Sequence, residues 1–139
     1  DLPNVIVRDD ELALQDGLLA QLKSNDERNA TTAIICKTRL ESEAVAKYLQ
    51  LQDYPATLIR SENQRLAAGT LVIPAYLAKG LEFDAVILWD LSAKNYPDED
   101  ERQLVYTIAS RAMHRLTIFA KDQVTPILDT VAKMLYVQE

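Results

Sequence analysis

Glycine is scarce in this 139-residue chain, with three residues at positions 17, 69 and 80. Their spacing leaves no GxxxxGK[ST] loop, the arrangement in which backbone N–H groups wrap a nucleotide's phosphates. No predicted strand ends in the paired carboxylates that would hold Mg²⁺, so the chain lacks the parts that cradle and activate a nucleoside triphosphate. One cysteine, Cys36, and one histidine, His114, exclude a disulfide framework and a Cys/His zinc site within the chain. Cys36 closes the apolar stretch 33–36, where a buried reduced thiol is expected rather than a nucleophile. No apolar run reaches membrane-spanning length and no signal-peptide pattern opens the chain, which points to a cytoplasmic protein. Basic charge is also in deficit: 15 Lys and Arg face 21 Asp and Glu, a net charge of −6. A tight nucleic-acid binder carries the opposite footprint, so any strand contact must come from a few local groups. The opening Asp1, Leu2 and Pro3, without Met, reads as the start of a fragment.

What is present is an ordinary globular composition, 48% hydrophobic and 26% charged, without repeats or low-complexity runs. Residues 1–139 are expected to form one domain that buries about two-thirds of the surface its unfolded chain exposes. Residues 5–7 are a short β-branched run, and 11–23 place Leu12, Leu14, Leu18, Leu19 and Leu22 near helical spacing. A polar stretch at 24–31 breaks the pattern. Residues 32–36 then read as a buried strand and 40–51 as its following helix, with Ala44, Val45, Tyr48 and Leu49 inward. Residues 56–59 and 70–73 are further strands, separated by a polar turn at 61–64. The continuous apolar run 85–89 marks a strand covered on both faces. After Pro97 the acidic residues 98–101 read as a solvated helix start, and the helix is expected to run through Ala112. A strand at 116–120 and a helix at 127–135 close the chain. This alternation predicts an α/β fold, a mostly parallel open sheet with helices on both faces in three layers.

Two stretches hold polar residues that such a core does not need. In LAKGLEFD (residues 77–84), Gly80 can let backbone approach a ligand, Lys79 offers a cation to phosphate, and Glu82 can accept from a ribose hydroxyl. Read alone, a plain turn with surface charges is the commoner source of such a pattern. In residues 103–112, Arg111 follows small and apolar residues that keep its guanidinium near the protein body. A fixed, permanently charged fork suits phosphate; an ion pair with one of the many acidic residues is the alternative.

The conjunction is more specific. KGLEFD and a strand, an acidic helix start, then LVYTIASRAMHRL (104–116) leading into a strand resemble motifs V and VI of the UvrD/Rep helicases in order and spacing. AIICKTRLESEAVA (33–46) resembles the strand and helix that follow motif IV there, so the likeness covers roughly residues 31–120. It implies a RecA-like fold of the P-loop NTPase type and the second motor domain of an ATP-dependent DNA helicase or translocase. It further implies that ATP and Mg²⁺ are bound mainly by a first RecA-like domain of the same protein, so that this chain alone is inactive. Arg111 matches the arginine that reaches the γ-phosphate across the cleft between the domains, an arginine finger. Gly80 and Glu82 match positions near the nucleotide. Lys37, Thr38, Tyr76 and Lys79 fall at positions beside single-stranded DNA. The family's usual Thr and His ahead of AKG are replaced by Pro74 and Tyr76, and Gln103 replaces one of its paired arginines. The interval between Cys36 and Thr70 has no room for the large 2B insertion. This compactness, with VIPAYLAKGLEFD (72–84), looks most like HelD-type proteins, a branch associated with bacterial RNA polymerase. The alternatives are therefore a module that docks on RNA polymerase without unwinding duplexes, or a nucleotide-binding domain without chemistry.

Overall fold

The computed structural model describes residues 4–26, 31–66 and 68–136. Asp1, Leu2 and Pro3, and half of the polar stretch at 24–31, lie outside the described residues. The elements run β1 (Asn4–Arg8), α1 (Glu11–Asp26), β2 (Thr32–Cys36), α2 (Arg39–Leu51), β3 (Thr57–Leu58) and β4 (Thr70–Pro74). They continue with α3 (Ala75–Ala78), β5 (Phe83–Leu88), a 3₁₀ turn (Glu99–Glu101), α4 (Arg102–Ala109), β6 (Ala112–Lys121) and α5 (Ile127–Tyr136). Six strands form one sheet in the order β1-β6-β5-β2-β4-β3, and every pair is parallel. Parallel pairing follows from the crossovers, helical among the described residues except between β3 and β4, which return the chain to the same edge before each new strand. Thr32 of β2 lies level with Thr70 on one side and Ala85 on the other, so the three central strands start at one edge.

Side-chain alternation splits the apolar strands between two cores. On one face Ile34, Val72, Ile87, Trp89 and Phe119 pack against Leu14, Leu18 and Leu22 of α1 and Val45, Tyr48 and Leu49 of α2. On the other, Ile35, Ile73, Val86, Leu88 and Ile118 meet α3, α4 and α5 through residues such as Ala78, Val105, Ile108 and Val131. Each large aliphatic side chain so enclosed contributes about 1.5–3 kcal/mol. Helices on both faces make three layers.

The crossover after β2 (α2) lies on one face and the crossover after β5 (α4) on the other. The carboxyl ends of β2 and β5 therefore diverge into opposite layers, forming the crevice at which open α/β sheets change direction. Among the described residues no helix is long and apolar enough to cross a membrane.

Three local expectations are corrected. Ala44 is exposed, and buried Ser42 takes the inward place because its hydroxyl donates to the Arg39 carbonyl at 2.7 Å. The helix expected through Ala112 ends at Ala109. There the Ser110 hydroxyl donates to the Thr107 carbonyl (2.9 Å) and the Arg111 carbonyl accepts from Phe83 N–H (2.9 Å), which draws Ala112 into register with Phe83 as the start of β6. The acidic helix start is also less solvated than expected. Its last member, Glu101, is half-buried and ion-paired.

Candidate nucleotide and strand-contact site

Because all strands point one way, the singled-out residues separate by sheet edge. Gly80 and Glu82 precede β5 and Arg111 precedes β6, so all three lie at the amino edge. Lys37 and Thr38 follow β2 and Tyr76 follows β4, at the carboxyl edge. Lys79, after α3, belongs to the crossover between them.

At the amino edge, Gly80 has φ +83°, and a Cβ built there would meet nothing within 4 Å. Backbone conformation rather than crowding requires glycine, and the open space leaves its main chain accessible. Glu82 is exposed. Arg111 Nε donates to the Thr107 carbonyl (3.0 Å) and its Nη2 to Ser110 Oγ (3.2 Å), which folds the guanidinium onto the last turn of α4. Carbonyls at a helix C-terminus carry partial negative charge and favour a cation there. None of the ion pairs among the described residues involves Arg111. The Phe83 N–H to Arg111 carbonyl bond ties the two stretches flanking this edge together. Asp84 is a structural member of its motif: its carboxylate accepts from Thr31 N–H at 3.1 Å, where the chain enters β2.

At the carboxyl edge, Thr38 caps α2, its hydroxyl accepting from Glu41 N–H at 3.1 Å. Pro74 ends β4, where the missing N–H costs the ladder least, and opens the single turn α3. Tyr76 on that turn is 60% exposed, enough to offer a ring face to a base. Tyr76 and Lys79 line a groove of about 510 Å³ whose opposite wall includes Glu62, Gln64 and Leu66.

In the crevice between β2 and β5 the chain builds a polar cluster that motif reading does not reveal. Lys37 Nζ lies 2.5 Å from Glu101 Oε2, donates to the Asn95 carbonyl (2.6 Å) and sits 4.8 Å from the centroid of the Tyr96 ring. Glu41 accepts from Lys37 N–H and from Asn95 Nδ2, each at 2.9 Å. Asn95 Nδ2 also donates to the Asp90 carbonyl at 3.0 Å. Burial pushes the Glu41 carboxyl above its usual range, against the hydrogen bonds from Lys37 and Asn95 that lower it. Burial likewise raises the Cys36 thiol well above its usual value, in keeping with the inert buried cysteine expected.

Tyr96 is fully buried, and among the described residues its hydroxyl has no hydrogen-bond partner. An unmet buried hydroxyl costs about 1–3 kcal/mol. Tyr96→Phe keeps the ring under Lys37 and is expected to stabilise the domain by about 1 kcal/mol in a urea titration; a loss of that size would reveal a partner for the hydroxyl.

The family model of the UvrD-like helicase C-terminal domain matches residues 70–119, from the start of β4 into β6. The crystal structure of the C-terminal domain of a possible DNA helicase from Lactobacillus plantarum WCFS1 is 52% identical with a TM-score of 0.87, covering 94% of this chain and 81% of that one. The chain belongs to the UvrD-like helicase C-terminal family. Truncated nsp10, a helicase from PRRSV, shares the fold at 12% identity and a TM-score of 0.57, over 91% of this chain and 44% of that one. No curated protein matches the chain. The all-parallel sheet is thus that of a RecA-like helicase domain.

In this UvrD-like domain, Gly80, Glu82 and Arg111 come together at one edge, and Tyr76 and Lys79 share one groove. Lys37 and Thr38 lie apart from that groove, and the Lys37 ammonium is already held by the protein itself. Asn95, Tyr96, Glu41 and Glu101 are the members that sequence reasoning missed. Their only local signal is an Asn-Tyr-Pro step ahead of the acidic run.

Proposed function

We propose that this UvrD-like domain is the second motor domain of an ATP-dependent DNA helicase or translocase, which closes onto a first RecA-like domain around ATP. The observation that carries the reading is the amino edge, where Arg111, without a carboxylate partner among the described residues, stands beside the openings of Gly80 and Glu82. On closure the Arg111 guanidinium would leave neutral acceptors, the Thr107 carbonyl and the Ser110 hydroxyl, for the γ-phosphate. There it neutralises charge that spreads over the transferred phosphoryl oxygens. Gly80 lets the main chain approach the phosphates, and the exposed Glu82 carboxylate accepts from a ribose hydroxyl. ATP supplies the bond that is cleaved. Mg²⁺, like ATP, is assigned mainly to the first domain, where it would neutralise phosphate charge.

Single-stranded DNA is assigned to the carboxyl edge and the groove of Tyr76 and Lys79. Tyr76 stacks on a base, Lys79 contacts a phosphate, and Lys37 and Thr38 border the path. Among the described residues the interval from 36 to 70 holds only α2 and β3, and on that compactness we assign the domain to the HelD-type branch. A net charge of −6 suits a basic docking surface, as binding to RNA polymerase would ask.

The test is ATP hydrolysis with and without oligo-dT. The parent protein is expected to turn over ATP and to be accelerated by the strand, and this domain alone to turn over none. Hydrolysis by the isolated domain, or none by the parent, would overturn the reading.

A further inference from the structure

Apart from Lys37, which borders the proposed strand path, no step proposed above uses the polar cluster at the crevice between β2 and β5. Its geometry joins the two edges of the sheet. Lys37 closes β2 on the strand-facing side, and its partner Glu101 stands at the head of α4, where it also accepts from Asp98 N–H (3.3 Å) in a capping box. From there α4 crosses back over the sheet, seated by Val105, Ile108 and Ala109. Its last turn holds Arg111 through the Thr107 carbonyl. α4 is a rod of roughly 12 Å, with Glu101, fastened by Lys37, just before one end and Arg111, carrying the guanidinium, just past the other.

The fastening is suited to exchange. The Lys37 and Glu101 side chains are 24% and 19% exposed, sheltered yet within reach of an incoming anion. Asn95 and the Tyr96 ring hold the Lys37 ammonium independently of Glu101.

We propose that the Lys37–Glu101 pair is a latch on α4: a backbone phosphate of a bound single strand competes with Glu101 for Lys37, and the release of Glu101 shifts α4 and with it Arg111. Lys37 and Glu101 are then positioning residues that make ATP hydrolysis answer to strand occupancy. The latch rests on the motor reading above, since it needs both a strand and Arg111 chemistry.

Opposite signs test it. In the parent protein, binding of fluorescein-labelled oligo-dT and ATP turnover with and without oligo-dT are measured for Glu101→Gln and Lys37→Gln. Glu101→Gln removes the competitor and is expected to tighten strand binding about 3–10-fold, whereas Lys37→Gln weakens it by a similar factor. Lys37→Gln also lowers the slope of log affinity against log salt by about 0.7, the signature of one lost phosphate contact. Both variants lose most of the acceleration by the strand. An ion pair that merely held the fold would move affinity in one direction for both variants, and that result, or unchanged acceleration, overturns the latch. Should Glu101→Gln fail to fold, Glu101→Asp, too short to reach Lys37, carries the same expectation. If the unsubstituted protein neither binds oligo-dT nor hydrolyses ATP, the motor reading falls and takes the latch with it. If it does both and the two variants shift strand affinity in the same direction, or keep the acceleration, the latch alone falls.

Discussion

Arg111→Ala in the parent protein is expected to lower ATP turnover about 10³-fold or more while ATP binding largely survives. The separation follows from where the side chain lies. Its guanidinium rests on the Thr107 carbonyl and the Ser110 hydroxyl at the amino edge, and within this chain it has no phosphate-binding loop beside it. On the proposed motor reading it contributes to the transition state of a site that the first domain owns, so the nucleotide is expected to keep most of its binding contacts when it is removed. Fold stability is expected to change little, since the hydrogen bonds lost are to groups that water can reach at a half-buried position. Arg111→Lys keeps the charge but not the planar fork, so turnover should recover only in part. Single-turnover hydrolysis beside a nucleotide-binding titration separates the two quantities. Turnover near that of the unsubstituted protein would refute the finger, and loss of binding in step with turnover would make Arg111 a ground-state contact instead.

The largest expected effect on stability belongs to Trp89→Ala, about 3–5 kcal/mol. Trp89 follows β5, is 2% exposed, and packs against Phe119 of β6 with ring centroids 5.8 Å apart and planes tilted by 36°. Its N–H to the Ile35 carbonyl extends the β2–β5 ladder by one bond. Alanine would keep that backbone bond but leave a cavity beneath α1 and α2, whose close-packed surroundings relax only in part. For a domain of this size the loss should appear as a fall of roughly 10 °C or more in the circular-dichroism melting midpoint. Trp89→Phe retains a ring opposite Phe119 and should cost clearly less. Equal melting midpoints for Trp89→Ala and the unsubstituted domain would mean that this face of the sheet is not the close-packed core described.

The central strands were legible in the sequence because burial on both faces leaves no polar alternation: residues 33–36 and 85–88 are apolar runs, and the structure gives them the middle of the sheet. The carboxyl end of α4 was not. Helical spacing continues into Ala112, and what stops the helix is a hydrogen bond from Phe83, far away in sequence, to the Arg111 carbonyl. Ala44 and Ser42 changed places because a serine can satisfy its hydroxyl on its own helix, so polarity alone did not predict its face. The candidate site divides in the same way. Gly80, Glu82 and Arg111 lie in two contiguous motifs, so spacing could suggest them. The cluster around Lys37 is made of pairings such as Asn95 with Glu41 and Lys37 with the Asn95 carbonyl, at separations of 54 and 58 residues. No local pattern encodes those, and Asn95 gains its role only when the sheet brings the ends of β2 and β5 side by side.

Cys36 gives this arrangement an internal clock. The thiol is fully enclosed at the end of β2 and adjoins Lys37, and burial holds it protonated. Alkylating reagents attack the thiolate, so in the folded domain they must wait until the carboxyl end of β2 separates from its layer. The labelling rate of this one sulfur therefore counts openings of the sheet's centre. A strand or nucleotide that steadies the crevice should slow that rate, and one that loosens it should hasten it, without any foreign probe being introduced.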